Sequence, residues 1–85
     1  MNVLIPTPLQ SYTGADRVQA RGATLHEVLT DLDQRYPGFR FRIIDEQNRM
    51  RPHMRFFVNG EAVFDLSRPL AEQDDVAIVQ ALSGG

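Results

Sequence analysis

The segment that most constrains this chain is its last ten residues. Val76, Ala77, Ile78, Val79, Gln80, Ala81 and Leu82 form a nearly continuous apolar run, and Ser83, Gly84 and Gly85 follow it. An apolar run of strand length with no polar side belongs in the interior of a sheet, flanked by other strands. Strand alternation puts Val76, Ile78 and Gln80 on one face and Ala77, Val79 and Ala81 on the other. The two glycines add little to any fold, since glycine packs no side chain and costs backbone entropy. Two readings of them stay open at this point. One is a frayed end, as chain termini commonly are. The other is a thin thread that brings the Gly85 carboxylate into a channel too narrow for a Cβ.

The rest of the chain supplies what such a strand needs around it. Asn2 to Ile5 predicts a first strand, closed by Pro6 and Pro8, which cannot donate to a ladder. Ser11 to Gly14 reads as a loop, Arg17 to Ala20 as a short second strand, and Gly22 as its end. Thr24 followed by Glu27 is a capping box. Behind it, Leu25, Val28, Leu29 and Leu32 fall at i, i+3, i+4 and i+7, the stripe of a helix lying on a sheet. Pro37-Gly38 stops it. Met54 to Val63 predicts a hairpin, with Asn59-Gly60 as a type I′ turn. Arg68 to Leu70 is a short turn, and the acidic turn Glu72 to Asp75 leads into the last strand. Between helix and hairpin, Phe39, Arg40, Phe41 and Arg42 alternate aromatic and basic, and Asp45 to Pro52 reads as an exposed loop. Arginine interleaved with phenylalanine is either a stacking platform for nucleic acid or a solvated face whose phenylalanines point inward. The order strand, strand, helix, strand, strand, strand predicts an α+β domain. Its expected architecture is a β-grasp: a mixed four- to five-stranded sheet, one main helix on one face, and the final strand central.

Composition narrows the chemistry. Eighty-five residues make a single domain, 1–85, with residues 83–85 as an exposed tail. A domain of this size buries roughly 60–65% of its unfolded surface, enough for one core but not for a deep catalytic cleft as well. There is no cysteine, which excludes disulfides, thiolate metal sites, a cysteine nucleophile and a side-chain persulfide. His26 and His53 match no metal-ligand spacing, so no metal site is expected. There is no lysine either, and all nine basic residues are arginine. The chain therefore offers no side-chain amine for a Schiff base or an isopeptide bond. A formal net charge of −2 argues against a nucleic-acid partner. No apolar run approaches the ~18 residues of a membrane span, and the N-terminus lacks the basic and apolar regions of a signal peptide. No membrane partner and a cytoplasmic location are the expectations. No catalytic constellation is visible, so any chemistry is expected at the carboxylate of Gly85.

The motifs carry a resemblance over nearly the whole chain. Val58-Asn59 at a strand end, Pro69-Leu70 in a turn, the acidic turn before Val76 and the closing Gly84-Gly85 resemble, in this order, the MoaD/ThiS family of ubiquitin-like sulfur carriers. The glycine usual in the acidic turn is Gln73 here, which argues against a left-handed backbone at that position. Ile5 to Leu9, Tyr12 to Gly14 and the arginine- and histidine-containing loop before Phe56 are most similar to the CysO branch. The resemblance implies a protein cosubstrate with no bound cofactor, not an enzyme. A ubiquitin-activating-type adenylyltransferase would use ATP to adenylate Gly85. A sulfurtransferase or other sulfur source would then replace AMP. The resulting thiocarboxylate would serve a sulfur-accepting biosynthetic enzyme making cysteine, molybdopterin, thiamine thiazole or another metabolite. Leu82, Ser83 and Gly84 would be the recognised part of the tail. Two alternatives stand beside this: a modifier conjugated through Gly85 to lysines of other proteins, and a β-grasp binding module without chemistry. If Phe56 and Val58 face the helix, Phe57 faces away. With Ala77 and Val79 it would form an exposed apolar patch beside the tail, on the face that activating enzymes grip in this family. The competing arrangement packs Phe57 under the 39–55 segment.

Overall fold

A computed structural model describes residues 1–81; the expected thread, Leu82 to Gly85, lies outside the described residues. Five strands, β1 (Asn2–Leu4), β2 (Arg17–Gln19), β3 (Met54–Val58), β4 (Glu61–Val63) and β5 (Asp75–Gln80), form one sheet in the order β2-β1-β5-β3-β4. The last strand is therefore central, as its apolar run predicts. It runs parallel to β1, pairing Val3 with Val76. It runs antiparallel to β3, pairing Phe56 with Ile78. The two outer pairs are antiparallel hairpin-type neighbours. This is the mixed five-stranded β-grasp sheet.

Helix α2 (Leu25–Arg35) covers one face. It starts where the Thr24 side chain accepts the Glu27 N–H at 3.3 Å, the first half of the capping box. Leu25, Val28, Leu29 and Leu32 are all fully buried. They share one core with Val3, Phe56, Val58, Val76 and Ile78 from the sheet. Burying each large side chain of this stripe contributes about 1.5–3 kcal/mol before ordering entropy is set against it. Every buried side chain among the described residues is apolar. The β3–β4 turn has Asn59 at φ 51° and Gly60 at φ 85°, the pair of positive values that a type I′ turn requires. Gln73 is not left-handed: the non-glycine residues with positive φ among the described residues are Asn48 and Asn59.

Two short helices correct the sequence reading. Residues 11–14, expected as loop, belong to α1 (Gln10–Thr13) and the Gly14 that closes it at φ 69°, directly after a 3-10 turn (Thr7–Leu9). Pro8 presets the turn and Leu9, 1% exposed, anchors it in the core. The Phe39 segment is a helix, α3 (Phe39–Ile43), entered through Gly38 at φ 91°. Helical spacing buries Phe39 and Ile43 completely, and it turns Phe41 out to 53% exposure because residues two apart lie on opposite sides of a helix. The phenylalanines do not both point inward; only Phe39 does.

Candidate functional site

The face of the sheet away from α2 carries the predicted patch. Val76, Ile78, Phe56 and Val58 lie in the core, so alternation places Ala77, Val79 and Phe57 on the other side. Phe57 is half-buried and directly opposite Ala77. Val79 is 39% exposed. Phe57 lines a shallow cleft with Leu4, Arg17, Gly60, Asp75 and Ala77, so it is not packed under the 39–55 segment.

The register extends this patch into a row across all five strands. Arg17 pairs with Leu4, Leu4 with Ala77, Ala77 with Phe57, and Phe57 with Ala62. Leu4, 40% exposed, belongs to this outward row and was not among the residues expected in the patch. The signal was available: with Val3 and Ile5 inside, the same alternation turns Leu4 outward. Phe64, just past β4, is 67% exposed for the same reason, since Val63 points in. Arg55 pairs with Val79, and its guanidinium lies 6.0 Å from the Phe64 ring. On the side away from the tail, the row gives way to the polar line Gln19, Asn2 and Asp75, with the Gln19 amide bonded to the Asn2 side chain. The apolar strip thus runs from Leu4 and Phe57 through Val79 toward the end of β5.

The β5–β3 pairing continues one residue beyond the strands, where Ala81 N–H donates to the His53 carbonyl at 2.7 Å. The predicted tail residues Leu82, Ser83, Gly84 and Gly85 follow this point in sequence and lie outside the described residues.

The far end of β5 is clamped by the other motif residues. Asn59 donates its amide to Asp74 at 3.0 Å and accepts the Asp75 N–H at 2.9 Å. Its backbone N–H donates to the Asp75 carbonyl at 2.8 Å. Asp74 accepts the Ala71 N–H at 2.8 Å. The Ala71 N–H first, then the Asn59 amide and the Arg68 charge, hold the Asp74 carboxyl below the usual carboxylate value. The Val-Asn strand end and the acidic turn are therefore one structure, a clamp that fixes where β5 begins and hence which of its residues face outward.

Among the described residues no group of histidine, aspartate and glutamate is arranged to hold a metal ion, and no helix is long and apolar enough to cross a membrane.

The comparisons with known proteins agree with this geometry. The ThiS family pattern matches residues 3–85. The chain is 35% identical to the sulfur carrier protein CysO of Mycobacterium tuberculosis, over all of this chain and 98% of that protein. The crystal structure of M. tuberculosis CysO superposes with a TM-score of 0.89 at 33% identity, covering 95% of this chain and 98% of the other. A chain of the Amycolatopsis orientalis BexX/CysO complex gives 0.90 at 32% identity, covering 99% and 98%. A strand order with the last strand central, an end-to-end match to sulfur carrier proteins and a family pattern that reaches the final glycine converge: the chain belongs to the ThiS family and is a homologue of the CysO sulfur carriers along its whole length.

Proposed function

We propose that this chain is a protein cosubstrate that carries sulfur on the carboxyl carbon of Gly85. The observation that carries the reading is the family match running to residue 85, on a chain whose central strand ends at Gln80 and whose sequence closes five residues later on Gly84-Gly85. A carboxylate is a poor electrophile, so it must first be activated. The Gly85 carboxylate attacks the α-phosphorus of ATP and pyrophosphate leaves, giving an acyl adenylate. A hydrosulfide equivalent then attacks the carbonyl carbon, AMP leaves, and the sulfur's proton passes to solvent. The product is a thiocarboxylate, less basic than an alkyl thiolate and a soft nucleophile at neutral pH. Adenylation and sulfur transfer belong to partner enzymes. The role of this chain is to present the tail and to be recognised. It works in the cytoplasm, where ATP and the activating enzyme are found.

The exposed strip of Leu4, Phe57, Ala77 and Val79 supplies the recognition surface for the activating enzyme, and Leu82, Ser83 and Gly84 are read inside its channel. The absence of cysteine and lysine keeps the activated end from reacting with the side chains of its own kind. The likeness to the CysO carriers supports a cysteine-forming or other small-molecule route for the sulfur. Conjugation to proteins is the less favoured use of the tail, since the full-length relatives are named as sulfur carriers.

The test is ATP–pyrophosphate exchange by the activating enzyme of the same organism. Exchange of label into ATP should depend on this chain and vanish on deletion of Gly85. Exchange that proceeds equally with the deletion variant would contradict the proposal.

A further inference from the structure

The segment around α3 is where the charge of the chain departs from its average. Residues 39–55 hold five of the nine arginines against two carboxylates, a net of +3 in a chain whose formal net charge is −2. None of the five forms a salt bridge among the described residues, where the one ion pair is Arg35–Asp31. One of the two carboxylates, Asp45, is turned onto its own loop and accepts the N–H groups of Gln47 and Arg49 at 2.9 and 3.0 Å.

Arg51 is held in place. Its Nε–H donates to the Phe41 carbonyl at 2.7 Å, and its guanidinium carbon lies 4.6 Å from the centre of the Phe41 ring. A cation over an aromatic face is attracted by the ring quadrupole. This gives the exposed Phe41 a role that core packing does not: it is the platform for Arg51. The terminal nitrogens of Arg51 make no hydrogen bond among the described residues. Phe41, Arg42, Arg51, His53, Met54 and Gln80 together line one cleft, and the His53 carbonyl is the group that receives the Ala81 N–H. The cations therefore stand at the root of the tail, on the helix side of β5, while Val79 and Arg55 stand on the other side.

Four further residues, fully extended, reach at most about 14 Å. A partner that draws Gly85 into its catalytic centre must bring the mouth of its channel against this root. We propose that Arg42 and Arg51, with His53 beside them in the same cleft, form a collar of two guanidinium cations that docks an acidic rim, aspartate and glutamate side chains, around the tail channel of the activating enzyme. The inference rests on the carrier reading above and names a partner contact beyond the apolar strip. Guanidinium groups match carboxylates in geometry and charge. Arg51 is already ordered on Phe41, so it loses less freedom on binding. The apolar strip supplies buried area; the collar supplies steering and fixes the rotation of the carrier about its tail.

The experiment compares the wild type, the Arg42→Gln/Arg51→Gln double variant and an Arg21→Gln control in the exchange assay, from about 50 to 500 mM salt. Wild-type KM for the carrier should rise with salt. The double variant should show a KM raised about three- to tenfold at low salt, an unchanged kcat and a flattened salt dependence, while Arg21→Gln follows the wild type. A double variant with wild-type KM and salt slope would overturn the collar while leaving the carrier reading intact. A wild type that supports no exchange would instead remove the carrier reading. For that case the collar is tested directly, by titrating isotope-labelled protein with hexaglutamate and with hexauridylate and following NMR shifts. Perturbations at Arg42, Arg51 and His53 by hexaglutamate, sparing Arg17 and Arg21, support the proposal. A collar indifferent to hexaglutamate, or one that binds hexauridylate more tightly, overturns it.

Discussion

At the scale of single residues, Asn59 does the most for the site without touching it. It occupies a left-handed position at φ 51°, which asparagine tolerates better than most residues, and its side chain makes two hydrogen bonds across to the acidic turn. Asn59→Ala loses both and strains the turn, so urea denaturation should show a loss of about 1–3 kcal/mol. Its partner Asp74 ties stability to pH. Hydrogen bonding from Ala71 and Asn59 lowers its folded pKa below the ordinary value of an aspartate carboxyl. A lowered folded pKa adds stability that is fully present above the unfolded value and is lost as pH falls through the folded one. Asp31 and Asp45 are lowered as well, chiefly by the N–H groups of Arg21 and Arg49. The chain should therefore lose stability below pH 3.8. The gap in urea midpoint between wild type and Asp74→Asn should be widest at neutral pH and close over the same acid range; a constant gap would remove the carboxylate from the clamp. Gly22 matters through contact: a Cβ there would lie 2.6 Å from the Val28 backbone nitrogen, where nothing can move aside cheaply. Gly22→Ala should cost about 1–3 kcal/mol by overpacking.

At the scale of elements, α2 and the β3–β4 hairpin were the most legible parts of the sequence, because each carries a complete signal. The helix has a cap, four apolar positions over two turns and a Pro-Gly stop; the hairpin has Asn-Gly between two alternating runs. Leu29 is fully buried in the shared core, so Leu29→Ala should lower stability by about 2–5 kcal/mol. Thr24→Ala, which removes only the cap, should cost about 1 kcal/mol. The short helices were not legible. Five residues of α3 hold a single i, i+4 apolar pair, Phe39 and Ile43, and an aromatic–basic alternation runs through the same stretch. The clue to α3 was the left-handed Gly38 before it, a backbone state that the sequence only permits. Of the outward patch, Phe57, Ala77 and Val79 were found by alternation in β3 and β5. Leu4 was missed because β1 read as uniformly apolar, and Phe64 because it stands just beyond its strand.

At the scale of the whole molecule, the fold is a device for fixing one strand. Two strands lie on each side of it, a helix covers one face, and a clamp sets its start. The apolar strip should behave as an interface with a few dominant residues. Val79→Asp, an exposed position, should leave thermal stability within about 0.5 kcal/mol and lower the carrier's efficiency in the exchange assay about tenfold or more. The central claim is that sulfur resides on the last carbonyl carbon. It is tested most directly by isolating the protein from its native cells under non-reducing, anaerobic conditions and fragmenting the intact chain in a mass spectrometer. The account predicts a population in which one oxygen is replaced by one sulfur, with the change confined to fragments that contain Gly85 and absent from cells lacking the activating enzyme. A chain that carries only an ordinary carboxylate in cells actively using the pathway, or sulfur anywhere other than Gly85, would contradict it.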